Sequence, residues 1–308
     1  MSRDRAGKAS GNPGGLTRRE FLRGTACAAL AGAAGLPSSQ REAGAAPALR
    51  SKVVLVRDRN ILDKSRRPDP GVLSRMVDDG ISALFGEGDP SPAWRRIISA
   101  GDVVGIKSNS WRFLPTPVEL EEILRQRLQG VGVAGENISV DDRGVLHNPV
   151  FRRSTALLNV RPMRTHYWSG VGSCLKNYIM FHPNPPAWHR DACADLAGLW
   201  DLPEVKGKTR LNILVMLTPL FHGKGPHHYQ ASYTWDYRGL IIGADPVAVD
   251  ATGLRILEAR RREFFGADQP LAVSPKHIRV AEEKYRLGVA DPARIEVEKI
   301  GWQEGALI

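Results

Sequence analysis

The sequence predicts an α/β fold, a mostly parallel sheet with helices on both faces, and two observations lead there. Apolar runs of strand length, such as VVLV at 53–56 and ILVML at 213–217, lack the alternation of a half-exposed strand and suit strands covered on both sides. Stretches with helical spacing of apolar residues fall between these runs, so strands and helices alternate along the chain. The 308 residues, 42% hydrophobic and 25% charged, have the composition of a globular core.

Taken in order, residues 51–58 read as the first strand. Residues 70–85 follow as a helix, with Val72, Leu73, Met76, Ile81 and Leu84 near one face. A second strand over 101–109 carries Lys107 and Asn109 at its far end. The next helix, 117–128, has proline in its first turn and Glu119, Glu121 and Glu122 near its positive end. Strands are expected at 137–144, which holds Asp141 and Asp142, and at 155–163, with a helix over 187–199. Strands at 210–219 and 237–245 and a helix over 246–262 complete the domain. Asp245 and Pro246 have the order of an N-cap and a first helical residue.

The first 45 residues stand apart. Arg18 and Arg19 precede Glu20-Phe21-Leu22 and a weakly apolar run rich in alanine and glycine, the order of a twin-arginine export signal. Residues 1–45 are therefore expected to be a signal peptide that engages the twin-arginine translocase. Residues 46–308 are expected to be one α/β domain working in the periplasm or elsewhere outside the cytoplasm. The leader's apolar run is too short and glycine-rich for a stable transmembrane segment, which needs about 20 strongly apolar residues. The leader holds seven basic and three acidic residues, so the remainder keeps 36 basic and 30 acidic ones, net +6 of the chain's +10. No aromatic-interleaved basic stripe accompanies this charge. Nucleic acid is not an expected partner, and an anionic small molecule is.

In open α/β sheets, ligands bind beyond the carboxyl ends of the strands. That rule collects Lys107, Asn109, His166 and Asp245. The run RTHYWSGVGSCLKN at 164–177 adds a turn in which Gly170 and Gly172 permit close backbone approach. A helix beginning near Ser173 would offer free N–H groups to an anion, with Lys176 and Asn177 one turn in. His166 is the expected acid/base group, Lys107 and Lys176 the charge clamps, and Asn109 and Asn177 the orienting amides. For a metal, His189 and Cys193 lie four apart on an expected helix, and His182 precedes them. His222, His227 and His228 form a second histidine-rich group, in a loop. Neither finger-like nor metalloprotease spacing is present. Cys174 and Cys193 are the only cysteines beyond the leader, and both a disulfide and two buried thiols fit them.

Four blocks carry a resemblance: GIKSN at 105–109, NVRPMRTHYWSGVGSCLKN at 159–177, PEVKGKTRLNILVML at 203–217 and LIIGADPVAVDATG at 240–253. In that order they resemble the successive blocks of the family known as domain of unknown function 362, across most of residues 52–258. The resemblance implies an α/β fold and a shared site at Lys107, Asn109, His166, Lys176, Asn177 and Asp245. Arg164 stands where the family usually has lysine, and Pro162 falls one place nearer the histidine. Some relatives carry a ferredoxin-type segment. An iron–sulfur cluster needs four thiolates, which the two cysteines beyond the leader do not supply, so no such cluster is expected and a metal ion stays open. Two functions fit: an exported enzyme, redox or metal-assisted, acting on an anionic small molecule, or a non-catalytic binding or cofactor-handling protein using the same basic pocket.

Overall fold

The computed structural model describes residues 49–223, 225 and 229–308, so the expected signal peptide, His227 and His228 lie outside the described residues. Its strands, in chain order, are β1 (Ser51–Arg57), β2 (Val104–Lys107), β3 (Ile138–Asp141), β4 (Ala156–His166), β5 (Gly170–Gly172), β6 (Thr209–Leu220), β7 (Gly239–Gly243) and β8 (Ile295–Gly301). They form one mostly parallel, mixed sheet in the order β3-β2-β4-β6-β7-β1-β8, with β5 folded back on β4. On that path β7 alone runs against both of its neighbours.

The helices are α1 (Pro70–Phe85), α2 (Pro90–Ile97), α3 (Val118–Gly130), α4 (Pro149–Arg152), α5 (Cys174–Asn177), α6 (Pro246–Phe265) and α7 (His277–Glu283). Local chemistry fixes the ends of α1: the Asp69 carboxylate accepts the Val72 N–H, Pro70 occupies the first turn, and Gly86 closes it in a left-handed conformation with φ 67°. Both long helices meet the sheet through glycine. A Cβ on Gly80 of α1 would lie 2.5 Å from Ile242 Cδ1, and one on Gly253 of α6 would lie 2.3 Å from Leu214 Cδ2 and 3.7 Å from Ile241 Cδ1. Ile241 and Ile242 are successive in β7 and point to opposite faces, so α1 and α6 cover opposite sides of the sheet. The expected two-faced cover is the one observed.

Four features depart from the sequence reading. β4 runs on to His166 rather than ending at 163, because β5 pairs with its last residues. β7 returns antiparallel to β6: no crossover helix lies among the described residues between them, and an antiparallel return needs none. The expected helix over 187–199 is instead two 3₁₀ segments, Pro185–Cys193 and Leu196–Asp201. Asp191, Ala192 and Cys193 take φ values of 47°, 53° and 62°, a left-handed stretch that costs roughly 1–2 kcal/mol per residue. In return Cys193 is buried and Asp191 pairs with Lys276. Finally, α2, α7 and the edge strand β8 were not anticipated. Cys174 and Cys193 are both free and buried. No helix among the described residues is long and apolar enough to cross a membrane.

Candidate functional site

β4 supplies the centre of the site. Its outer half reads Arg161-Pro162-Met163-Arg164-Thr165-His166, and every one of these residues is buried. The register slips between Pro162 and Arg164, which interrupts simple alternation and turns both arginines toward Gly172 of β5. A Cβ on Gly172 would lie 3.0 Å from Arg161 Nη2 and 3.5 Å from Arg164 Cγ. Glycine there makes room for the two guanidinium groups. Arg164 donates from Nη1 to Asn109 Oδ1 at 2.9 Å and lies over the Trp111 ring, 4.5 Å from its centroid. Arg161 makes no ion pair among the described residues, and its Nε has no partner.

Two lysines flank this pair. Lys107, fully buried, donates to Asp142 Oδ1 at 2.6 Å and to the Ser108 carbonyl at 2.7 Å. Burial pulls its pKa down to about 8 against the opposing pull of Asp142. Burial pushes Asp142 upward, but Lys107 and the Ser110 N–H and hydroxyl outweigh it and hold the carboxyl at about 2. Lys107, expected as a charge clamp, is therefore committed to an internal ion pair with Asp142. Among the described residues Lys176, on α5, has only the Cys193 sulfur as a hydrogen-bond partner, at 3.6 Å from its Nζ. Burial draws its pKa down to about 8, Cys193 opposing and Arg161 assisting.

Three imidazoles stand within electrostatic reach of Lys176. His166 Nδ1 accepts the Trp168 N–H at 3.2 Å, so the ring proton belongs on Nε2. Burial, then Lys176, Arg161 and Arg164, push its pKa far below the ordinary value, and the ring is neutral. His277 is fully buried, and neither ring nitrogen has a partner among the described residues. Burial, Lys176 and Arg161 bring its pKa to about 3. His189, half-buried, lies 3.9 Å from the Trp168 ring centroid, and its Nδ1 has no partner.

Several expected contacts are used up within the chain. The N-terminus of α5 does not await a ligand: the Ser173 hydroxyl at 2.7 Å and the Cys174 and Leu175 N–H groups at 2.8 Å all donate to the Asp250 carboxylate. Burial raises Asp250 to about 6 against these donors and Arg161. Gly170 serves a close approach of another kind: its φ is 73°, and a Cβ would lie 2.4 Å from the Val273 carbonyl oxygen. Asn177 belongs to a buried amide ladder rather than to a ligand. It donates to Asn159 Oδ1 at 2.9 Å, Asn159 donates to Asn212 Oδ1 at 3.0 Å, and Asn212 donates to the Ala244 carbonyl at 3.1 Å.

Asp245 is displaced from the site by topology. Because β7 is antiparallel, its end lies by the start of β1, at the edge opposite His166. There Asp245 accepts the Val247, Ala248 and Val289 N–H groups and the Ser51 hydroxyl. The metal expectations also scatter. Among the described residues no group of three or more His, Cys, Asp or Glu could hold a metal ion. The left-handed stretch removes the i, i+4 relation of His189 and Cys193, His182 Nδ1 accepts the Asn184 N–H, and His222 Nδ1 accepts from Arg261.

On the α1 and α3 side of the same edge a cleft of about 560 Å³ is lined by Leu62, Asn109, Ser110, Pro117, Glu121 and Pro162. That volume suits a small molecule. Asn109 lines this cleft and holds Arg164.

The family described as Domain of unknown function (DUF362) matches over residues 122–255. Residues 122–255 belong to that family. No curated protein and no solved structure matches the chain. The DUF362 segment contains Asp142, β4, β5, α5, Cys193, Asp245 and Asp250, whereas Lys107, Asn109 and His277 lie outside it. Arg161 and His277 were missed by sequence reading. Two arginines inside a strand otherwise fit for burial were a readable signal for Arg161, and His277, alone in SPKHIRV, carried none.

Proposed function

We propose that the chain is an exported protein that binds a small anionic molecule against Arg161, Arg164 and Lys176 and acts on it as an enzyme. One observation carries this reading. Of eight buried side-chain nitrogens without a hydrogen-bond partner among the described residues, five belong to Arg161, Arg164, His189 and His277. Each buried unpaired polar group costs about 1–3 kcal/mol, so their gathering around Lys176 supports a binding role. Charge supports it too: the buried cations Lys107, Arg161, Arg164 and Lys176 face the buried carboxylates Asp142 and Asp250, which leaves two positive charges unmatched.

His166 has a narrower role than general acid/base exchange. With Nδ1 occupied, its neutral ring offers only the Nε2 hydrogen, which suits donation to an oxygen that gains negative charge during reaction. The cleft beyond Asn109, with Arg66 and Glu121 as well as Leu62 and Pro162 in its lining, suits the remainder of the substrate. The non-catalytic alternative draws its support from Lys107, an expected catalytic contact that is held in an internal ion pair.

Calorimetric titration with inorganic sulfate and phosphate at low ionic strength tests the binding claim. The wild-type chain should bind, and Arg161→Met should weaken binding by about tenfold or more, the scale of a lost charge-assisted hydrogen bond. Equal affinity of the two proteins contradicts the reading. Export is tested with a fused reporter, which Arg18→Lys with Arg19→Lys should retain inside the cell.

A further inference from the structure

His277 is the residue of this site that neither sequence blocks nor family match includes. It begins α7, is fully buried, and has both ring nitrogens unpartnered among the described residues. Its position is built by the glycine turn: the left-handed φ of Gly170 allows the hairpin to close on Val273 and Pro275, two to four residues before His277. Lys276, its neighbour, is anchored to Asp191 beside Cys193. His277 is thus packed beside the β4–β5 hairpin, whose Gly170 pairs with His166, and within electrostatic reach of Lys176 and Arg161.

The inventory of hydrogen-bonding groups around it is lopsided. Arg161, Arg164 and Lys176 are donors only, and His166 presents its Nε2–H. A neutral imidazole with two unpartnered nitrogens offers one donor and one acceptor. His277, and with it the half-buried His189 with its unpartnered Nδ1, therefore add acceptor capacity to a site whose other groups donate, and of the two only His277 is fully buried. A simple carboxylate has nothing to give that nitrogen. An anion with a hydroxyl beside its charged group satisfies the cations through its oxygens and the imidazole through its O–H.

We propose that His277 is a ligand-contacting residue that selects anions carrying a hydroxyl next to the charged group, the 2-hydroxycarboxylates being the simplest class. The inference rests on the anion reading above and adds the chemical class to it. As a purely structural residue His277 would be a poor choice, because replacing an unpartnered polar group by an apolar one of similar volume removes a cost.

The test compares glycolate with acetate, which differ by the hydroxyl alone, in NMR titrations of the full chain, its His277→Leu variant and its His277→Gln variant. Wild type should bind glycolate about tenfold more tightly than acetate, the scale of one hydrogen bond. His277→Leu should bind both within about twofold of each other while unfolding at equal or higher denaturant. His277→Gln, which keeps a donor and an acceptor, should retain part of the preference. Equal binding of the two anions by wild type, or a preference that survives in His277→Leu, overturns the inference and leaves the anion reading standing. Failure of wild type to bind either anion overturns both.

Discussion

The two ends of the sheet handle buried charge in opposite ways. At the end where β7 finishes, Asp245 is a lone carboxylate, and three N–H groups and a hydroxyl converge on it. At the end where β4 finishes, Arg161 and Arg164 keep unpartnered Nε groups, and Lys176 has no carboxylate within ion-pair distance among the described residues. Both sets lie at strand ends, yet only one is complete within the chain. A charge with all its hydrogen bonds made is part of the scaffold, and a cluster whose bonds are unmade is the one the proposed anion would complete.

The sharpest way to break this contrast is to unsettle the boundary between the ends. Asp250 lies on α6 between them, capping α5 and facing Arg161. Asp250→Ala strands three buried donors and removes a buried negative charge that offsets Arg161, so urea unfolding should show a loss of about 3–5 kcal/mol.

Acid gives an effect of comparable size. His166 and His277 are neutral in the fold, with pKa values below the ordinary 6.5, and take up protons near pH 6.5 once unfolded. The unfolded chain then binds more protons, so stability is fully present above pH 6.5. It falls as pH drops toward about 3, by up to about 1.4 kcal/mol per pH unit for each imidazole. Denaturant midpoints measured from pH 7 to 4.5 should show that decline, and His277→Leu should flatten it.

At the satisfied end, Asp245→Ala removes a helix cap together with the Ser51 and Val289 contacts. A loss of about 2 kcal/mol is expected in unfolding, with sulfate affinity unchanged. A change in affinity would mean that the two ends are not independent.

Arg164→Lys is the mildest test. The charge stays, the fork that reaches Asn109 is lost, and stability should shift by less than about 1 kcal/mol while anion affinity falls several-fold.

Much of the fold was legible because burial on both faces leaves unbroken apolar runs, and because Asp69-Pro70 and Asp245-Pro246 mark helix starts in the sequence itself. The sheet's order and the reversal of β7 were not, since pairing partners are chosen by tertiary packing. For the site, His166 drew attention as a polar residue after a strand and Lys176 as a cation one turn into a helix, and both lie within electrostatic reach of Arg161. Lys107 and Asp245 at strand ends and Asn177 in the helix after Ser173 drew it too, and the structure gives them partners within the chain. Residue type and spacing reveal that a polar group must be accommodated. They do not reveal whether the accommodating partner is another part of the chain.

Anomalous diffraction from crystals equilibrated with selenate tests the central claim most directly. A selenium peak is expected within hydrogen-bonding distance of Arg161 and Lys176, on the Gly172 side of β4. Peaks confined to surface arginines, with none beside Arg161 at saturating selenate, would contradict it.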